Sequence, residues 1–105
     1  LGCGRLLEGT AEEMFQSLAK FAPLPPDTLV CCGHEYTESN ARFALHADPG
    51  NRALMAYAAQ VQALRADGKP TVPSRLSDEL ACNPFMRAPT VAALADLRSR
   101  KDSFR

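Results

Sequence analysis

The sequence predicts an α+β fold that is mostly helical, and three patterns support this prediction. Thr10 to Glu13 has the form of a helix-capping box, and the apolar residues that follow recur at helical spacing. Residues 28–32 form a short apolar segment with β-branched residues at one end, which is typical of a strand. From Thr37 onward the periodic segments have helical spacing. One helix and one strand, followed by a helical part, are therefore expected.

The first helix is predicted to run from the capping box to about Ala22. Pro23 to Asp27 contains three prolines, which cannot continue a helix. The strand that follows, Thr28 to Cys32, is predicted to be buried and to end at Gly33. A helix followed by a strand is typical of the closing half of an α/β unit.

Helices separated by short connections are predicted beyond this strand. Thr37 and Asn51 have residue types that cap helices, and Gly68 is a helix stop. Residues 69–74 carry two prolines and are predicted to be an extended linker, and residues 83–87 are predicted to be a loop. The predicted helices cover residues 37–46, 52–67, 77–81 and about 90–101.

Composition and charge exclude several classes of function. Lys plus Arg and Asp plus Glu each number 12, so no net field favours nucleic acid or an anionic membrane surface. No apolar run approaches the ~20 residues that span a bilayer. The 4 cysteines form no Cys-x-x-Cys pair, which favours free thiols in a reducing compartment. We therefore expect no nucleic-acid partner, no membrane partner, and the cytoplasm or the mitochondrial matrix as the compartment.

His34 occupies a position that is typical of functional sites. It follows a strand and precedes a helix, where the backbone projects side chains into a site at the carboxyl end of the strand. Neutral imidazole is a common ligand of zinc-like metals. A hydrogen-bonded structural histidine is the alternative. It stays open on these residues, because the other histidine, His46, does not lie at metal-ligand spacing.

Arg98 and Lys101 form a candidate anion site. They are three residues apart on a predicted helix, so both cations lie on one face and can converge on a carboxylate. The alternative is a solvated helix end, where the helix dipole favours cations.

Five motifs, taken in order along the chain, resemble those of the glyoxalase II family, the hydroxyacylglutathione hydrolases of the metallo-β-lactamase superfamily. They are G-C-G-R-x-x-E-G-T at residues 2–10, C-G-H-E-Y-T at 32–37, P-T-V-P-S at 70–74, N-P-F-M-R at 83–87 and R-x-x-K-D-x-F at 98–104. The combination is specific because it extends over the whole chain in the order of the family.

The resemblance implies two domains. Residues 1–36 would be the C-terminal end of a metallo-β-lactamase-type αββα domain, and residues 37–105 an α-helical glutathione-binding domain. The chain opens at Leu1 in loop-like sequence and is expected to be a fragment. By resemblance, the other metal ligands of the family lie upstream of it.

The resemblance also implies a reaction, the hydrolysis of the thioester S-D-lactoylglutathione to D-lactate and glutathione by a metal-bound hydroxide. Two divalent metals, zinc with iron or manganese as variants, would be needed. His34 is implied as a catalytic residue and the one metal ligand of this chain. Arg5, Tyr36, Arg98 and Lys101 are implied to bind the glutathione part of the substrate.

The fragment alone is expected to be inactive. Two partners are expected for it, the glutathione thioester and the N-terminal metal-binding part of the same protein. A second interpretation stays open. The chain would then be a non-catalytic module that binds glutathione conjugates or another protein. A T-H-x-H-x-D-H motif upstream would favour the enzyme.

Overall fold

The computed structural model describes residues 1–104 and arranges them as six helices and two short strands; Arg105 lies outside the described residues. The helices are α1 (Ala11–Ala19), α2 (Thr37–Ala47), α3 (Arg52–Ala66), α4 (Leu76–Cys82), α5 (Pro84–Arg87) and α6 (Val91–Asp102). The strands are β1 (Leu29–Val30) and β2 (Ser74–Arg75). The predicted mostly helical composition is confirmed. None of the described helices is long and apolar enough to cross a lipid bilayer.

Helix α1 begins where the sequence predicts and ends earlier. The Thr10 side chain accepts a hydrogen bond from the Glu13 backbone, and the Glu13 side chain accepts one from the Thr10 backbone, which completes the capping box. The helix stops at Ala19 instead of continuing to Ala22. Tighter turns replace its last residues, because Ala22 precedes a proline and a proline disfavours helical geometry in its predecessor.

The strand predicted over residues 28–32 is wrong in length, and residues 1–104 by themselves do not bury it. Strand β1 has two residues, and Leu29 is 59% exposed. Its partner is β2, which pairs with it in antiparallel register, Leu29 opposite Arg75 and Val30 opposite Ser74. Among the described residues β1 has a neighbouring strand on one side alone, and the other side stays open. The linker was predicted as extended, and its last residue, Ser74, forms this second strand.

The caps of α2 and α3 differ from each other. Asn51 caps α3 as predicted, since its side chain accepts a hydrogen bond of 3.1 Å from the Leu54 backbone. Thr37 was predicted to cap α2, and this is wrong: the cap position is Tyr36, whose side chain makes no capping bond. Thr37 is buried instead, with its hydroxyl 3.4 Å from the amino group of Leu1. The hydroxyl therefore binds a distant segment and not its own helix end.

The predicted loop over residues 83–87 contains a one-turn helix, α5. Asn83 caps it by accepting a hydrogen bond of 3.0 Å from the Phe85 backbone, and Pro84 occupies the first turn, where its missing N–H has no cost. Phe85 is buried and stacks on Phe43 of α2, with 5.9 Å between ring centroids. This packing stabilises a helix that is too short to form alone.

Two buried clusters form the core. The first joins the start of the chain to α2, α3 and α4, and its members are Leu1, Ala41, Ala44, Leu54 and Cys82. The second joins α2, α5 and α6, and its members are Phe43, Phe85 and Leu94. Helix α2 contributes to both clusters and is therefore the central element of the fold.

A buried carboxylate connects the first cluster to the strands. The Glu79 side chain is 4% exposed, and its Oε1 accepts a hydrogen bond of 2.8 Å from the Ser74 hydroxyl and lies 3.0 Å from the backbone nitrogen of Leu1. Its Oε2 accepts a hydrogen bond of 2.8 Å from the Asn83 side-chain amide. The same Asn83 amide donates to the carbonyl of Gly2 at 3.1 Å. The first loop, β2 and α5 are thus fastened to α4.

Glu79→Ala is expected to lower the free energy of unfolding by about 3–5 kcal/mol, because it leaves buried donors without an acceptor. Urea unfolding monitored by circular dichroism measures this change. Asp78→Ala, one residue earlier on the same helix, is the matched control and should cost less than about 1 kcal/mol. Equal losses for the two variants would show that Glu79 is not a central contact.

Candidate functional site

A cavity of about 430 Å³ lies where the first loop, the start of α2 and the end of α6 meet. All four residues that the sequence predicts as substrate-binding contribute to its lining, namely Arg5, Tyr36, Arg98 and Lys101. The structure therefore brings together side chains from three segments that are far apart in sequence. Their role in binding stays a prediction.

Two side chains hold the first loop in place at this cavity. The Asn40 amide on α2 donates a hydrogen bond of 2.9 Å to the carbonyl of Leu1. Arg98 on α6 donates from Nη1 to the carbonyls of Cys3 and Gly4, at 3.1 and 3.0 Å. The loop is therefore held from both α2 and α6, and Arg5 follows directly after the second attachment.

Arg98 makes more contacts to the protein than the sequence indicates. Its side chain is 6% exposed and packs over the Phe85 ring at 5.0 Å. Besides the two bonds from Nη1, its Nε and Nη2 approach Asp102 Oδ1 at 3.0 and 2.9 Å. These contacts use four of the five N–H donors of a guanidinium group. Arg98 thus has a structural role, and one N–H is left for a ligand.

Lys101 and Arg5 are the cations with donors available in this cavity. Lys101 takes part in none of the ion pairs found among residues 1–104. Partial burial lowers the pKa of its ammonium group, and the positive charges of Arg98, Arg42 and Arg5 lower it further. The Arg5 side chain is 67% exposed, with its Nε 3.8 Å from Asp102 Oδ1. Positive charges are therefore crowded at the cavity, and Asp102 offsets them in part.

Asp102 is a residue of this site that the sequence-based prediction missed. It pairs with Arg98 four residues earlier on α6, and its backbone carbonyl accepts a hydrogen bond of 3.4 Å from Arg5. The i, i+4 spacing of an arginine and an aspartate on a predicted helix was the available signal. The contact with Arg5 had no local signal, because it joins the first loop to the last helix.

His34 lies next to the cavity and not in its lining. It is exposed, and its ring stacks on Tyr36 with 4.9 Å between centroids and an interplanar angle of 8°. No hydrogen bond of its side chain to residues 1–104 is found, and its roles as a metal ligand and as a structural histidine both stay predictions. Tyr36 is itself 44% exposed and connects His34 to the cavity.

The described residues do not form a metal centre by themselves. Within residues 1–104, no group of three or more His, Cys, Asp or Glu side chains could hold a metal ion. His34 supplies one imidazole, whereas zinc sites use three or four protein ligands. The four cysteines are free thiols, and burial raises the pKa of Cys3, Cys32 and Cys82. Raised pKa values disfavour the thiolate form that binds metals.

A second cavity, of about 410 Å³, is an apolar groove beside strand β1. Its apolar side chains from α1, the following turns and β1 include Leu18, Phe21, Leu24, Leu29 and Val30. Phe21, Leu24 and Leu29 are among the exposed large hydrophobic residues. An apolar patch of this kind is typical of a surface that another part of a protein covers.

Comparison with known proteins identifies clear relatives. Residues 35–104 match a family model described as "Hydroxyacylglutathione hydrolase C-terminus". The chain is 58% identical over 104 residues to a hydroxyacylglutathione hydrolase of Acidiphilium cryptum, covering 99% of this chain and 43% of that protein. It is 54% identical over 118 residues to the enzyme of that name from Ruegeria pomeroyi, covering 99% and 46%. The chain thus spans less than half the length of these curated relatives.

Arg98→Ala is expected to lower the free energy of unfolding by about 2–4 kcal/mol, since it leaves the carbonyls of Cys3 and Gly4 without donors. Lys101→Ala, one turn later, should change it by less than about 1 kcal/mol because Lys101 has no such contacts. Arg98→Lys should not restore stability, because an ammonium group cannot make four bonds in this arrangement. Urea unfolding of the three variants is the measurement. A stable Arg98→Ala protein would contradict the structural role.

Proposed function

The chain belongs to the hydroxyacylglutathione hydrolase C-terminus family, and from this premise we propose that it is the substrate-recognition part of a hydroxyacylglutathione hydrolase. The reaction proposed for the whole protein is hydrolysis of S-D-lactoylglutathione to D-lactate and glutathione. One observation carries the proposal: Arg5, Tyr36 and Lys101, from three separate segments, meet with Arg98 in a single cavity.

The charges of this cavity favour an anionic ligand. The Lys101 ammonium is partly buried among cations and has no ion-pair partner within residues 1–104, which is why its pKa is lowered. A carboxylate that enters the cavity would relieve this repulsion and gain charge-assisted hydrogen bonds from Lys101 and Arg5. Glutathione carries a carboxylate at each end, and we propose that its glycine carboxylate occupies this cavity.

The size and composition of the cavity fit a tripeptide-sized ligand. Small-molecule sites usually enclose about 300–1,000 Å³. This one encloses about 430 Å³ and combines cations with apolar groups, among them Leu7 of the first loop. The Tyr36 ring forms the side of the cavity that is next to His34. In a glutathione thioester bound here, the glycine end would lie at the cations. The rest of the molecule would extend past Tyr36 toward His34.

We propose that two domains of the whole protein meet at this cavity. Residues 1–36 are assigned to the end of a metallo-β-lactamase-type αββα domain, and residues 37–105 to the helical substrate-binding domain. The family match, which begins at residue 35, supports this boundary. The cavity lies at the junction, since Arg5 is on one side of the boundary and Lys101 on the other.

The preceding part of the same protein is proposed as the partner that covers the apolar groove beside β1. Three exposed apolar side chains of this groove, Phe21, Leu24 and Leu29, lie in residues 1–36. Relatives that are more than twice as long as the chain support the existence of such a part. Two divalent metals, zinc or else iron or manganese, belong to the same proposal. Because His34 is a single imidazole, the other ligands must come from that part, and the chain alone is proposed to be inactive.

Lys101→Ala in the full-length protein is expected to raise KM for S-D-lactoylglutathione about 10- to 100-fold with little change in kcat. The lost contact is remote from the thioester, so it stabilises the ground state and the transition state alike. Arg100→Ala, the adjacent residue of α6, pairs with Asp96 outside the cavity and is the matched control. Steady-state kinetics measures both.

A truncated thioester that lacks the glycine residue makes this test specific. Wild type and Lys101→Ala should process it equally, because the carboxylate that Lys101 would bind is missing. Unchanged KM for lactoylglutathione in Lys101→Ala would refute the proposed carboxylate contact, and so would an equal loss on both substrates.

His34→Ala in the full-length protein is expected to lower the metal content from two to about one per chain. A fall in kcat of at least ~100-fold should accompany it, since metal-ion catalysis contributes several kcal/mol. Elemental analysis of the purified variant measures the metal independently of activity. A full metal content would contradict the role of His34 as a ligand. A wild-type protein that binds glutathione thioesters without hydrolysing them would favour the non-catalytic binding module.

A further inference from the structure

The segment between β1 and α2, residues 31–36, carries both His34 and Tyr36 and has few attachments. His34 and Tyr36 are exposed and stack on each other. Tyr36 stands at the cap position of α2 without a capping bond from its side chain. The stack joins two neighbouring residues of one loop, so it does not fix the loop to the rest of the protein.

Glu35, between these two residues in sequence, attaches the loop to the linker between α3 and β2. One carboxylate oxygen accepts a hydrogen bond of 3.0 Å from the Thr71 backbone N–H. The other accepts a short hydrogen bond from the Thr71 hydroxyl. Both carboxylate oxygens of Glu35 therefore have a donor on the same residue, Thr71. Thr71 is itself buried in the linker between α3 and β2.

This contact closes a small ring of chain together with the strand pair. Val30 of β1 pairs with Ser74 of β2. Glu35, five residues after Val30, contacts Thr71, three residues before Ser74. A loop fastened at both ends can adopt far fewer conformations than a loop fastened at one end. The Tyr36 carbonyl accepts a hydrogen bond of 2.9 Å from the Asn40 backbone N–H of α2. The Glu35–Thr71 contact adds a second constraint on the position of the Tyr36 ring, from the side of the linker.

We propose that Glu35 is a positioning residue, which sets the Tyr36 side of the substrate cavity by fastening the loop to Thr71. This inference rests on the proposed function, since the consequence is a change in glutathione recognition. Glu35 does not line the cavity, so it acts through Tyr36 and not by contact with the ligand.

Four variants of the full-length protein test the proposal by KM for S-D-lactoylglutathione. Glu35→Ala should raise KM about 10-fold, because displacement of a recognition group by about 1 Å is costly. Glu35→Gln should stay within about 2-fold of wild type, because its amide oxygen can accept from the Thr71 N–H while its NH₂ group donates to the hydroxyl. Thr71→Val, which keeps the backbone donor, should be intermediate. Glu38→Ala, an exposed carboxylate on α2, is the matched control and should match wild type.

A double variant identifies the route of the effect. In a Tyr36→Ala background, the effect of Glu35→Ala on KM should shrink to less than about 2-fold, because the group it positions is gone. Amide hydrogen exchange of Thr71, whose N–H donates to Glu35, should be faster in Glu35→Ala and unchanged in Glu35→Gln. The thermal midpoint of each variant shows whether the whole fold is affected.

The proposal is overturned if Glu35→Gln is as impaired as Glu35→Ala, which would indicate a role of the charge itself, or if the effect of Glu35→Ala persists without Tyr36. Wild-type KM in Glu35→Ala would overturn it as well. If the wild-type protein neither binds nor hydrolyses a glutathione thioester, the proposed function fails first, and the positioning role fails with it.

Discussion

The buried carboxylate of Glu79 is the constraint on which the arrangement of this chain depends. A charge in the interior is tolerated where hydrogen-bond donors surround it, and its desolvation is costly where they do not. The donors here come from Ser74, Asn83 and Leu1, which belong to three segments distant in sequence. Full pairing of one side chain therefore requires β2, α5 and the first loop to meet at α4. Apolar burial alone would bring these segments together with less specificity.

The substrate cavity follows from this arrangement through a short series of contacts. Asn83 binds Glu79 and also the carbonyl of Gly2, so the start of the first loop is fixed. Arg98 then binds the next two carbonyls of the same loop from α6. Once the loop lies between α2 and α6, Arg5 faces the same cavity as Lys101. The cavity is therefore built from the same contacts that hold the first loop in place.

The positive charges that line the cavity repel one another, and an anionic ligand would reduce this repulsion. Arg5, Arg98 and Lys101 are close together, and Asp102 offsets only part of their charge. Burial lowers the pKa of Lys101, and the neighbouring positive charges lower it further. We propose an anion site here, because an anion would give these clustered cations a further partner besides Asp102.

Local residue patterns determined the helical character of the chain, most helix starts and the order of motifs that indicates the family. The Thr10 capping box, the Asn51 cap and the Gly68 stop depend on nearest neighbours along the chain, so the sequence suffices to predict them. Tertiary structure alone decided the pairing of β1 with β2, the four hydrogen-bonding contacts of Arg98, and the contact of Glu35 with Thr71. Each of these depends on which distant segment approaches a given donor or acceptor. A side chain carries the same hydrogen-bonding groups whether they bind a ligand or another part of the protein. Only the packed chain determines which of these partners each group binds.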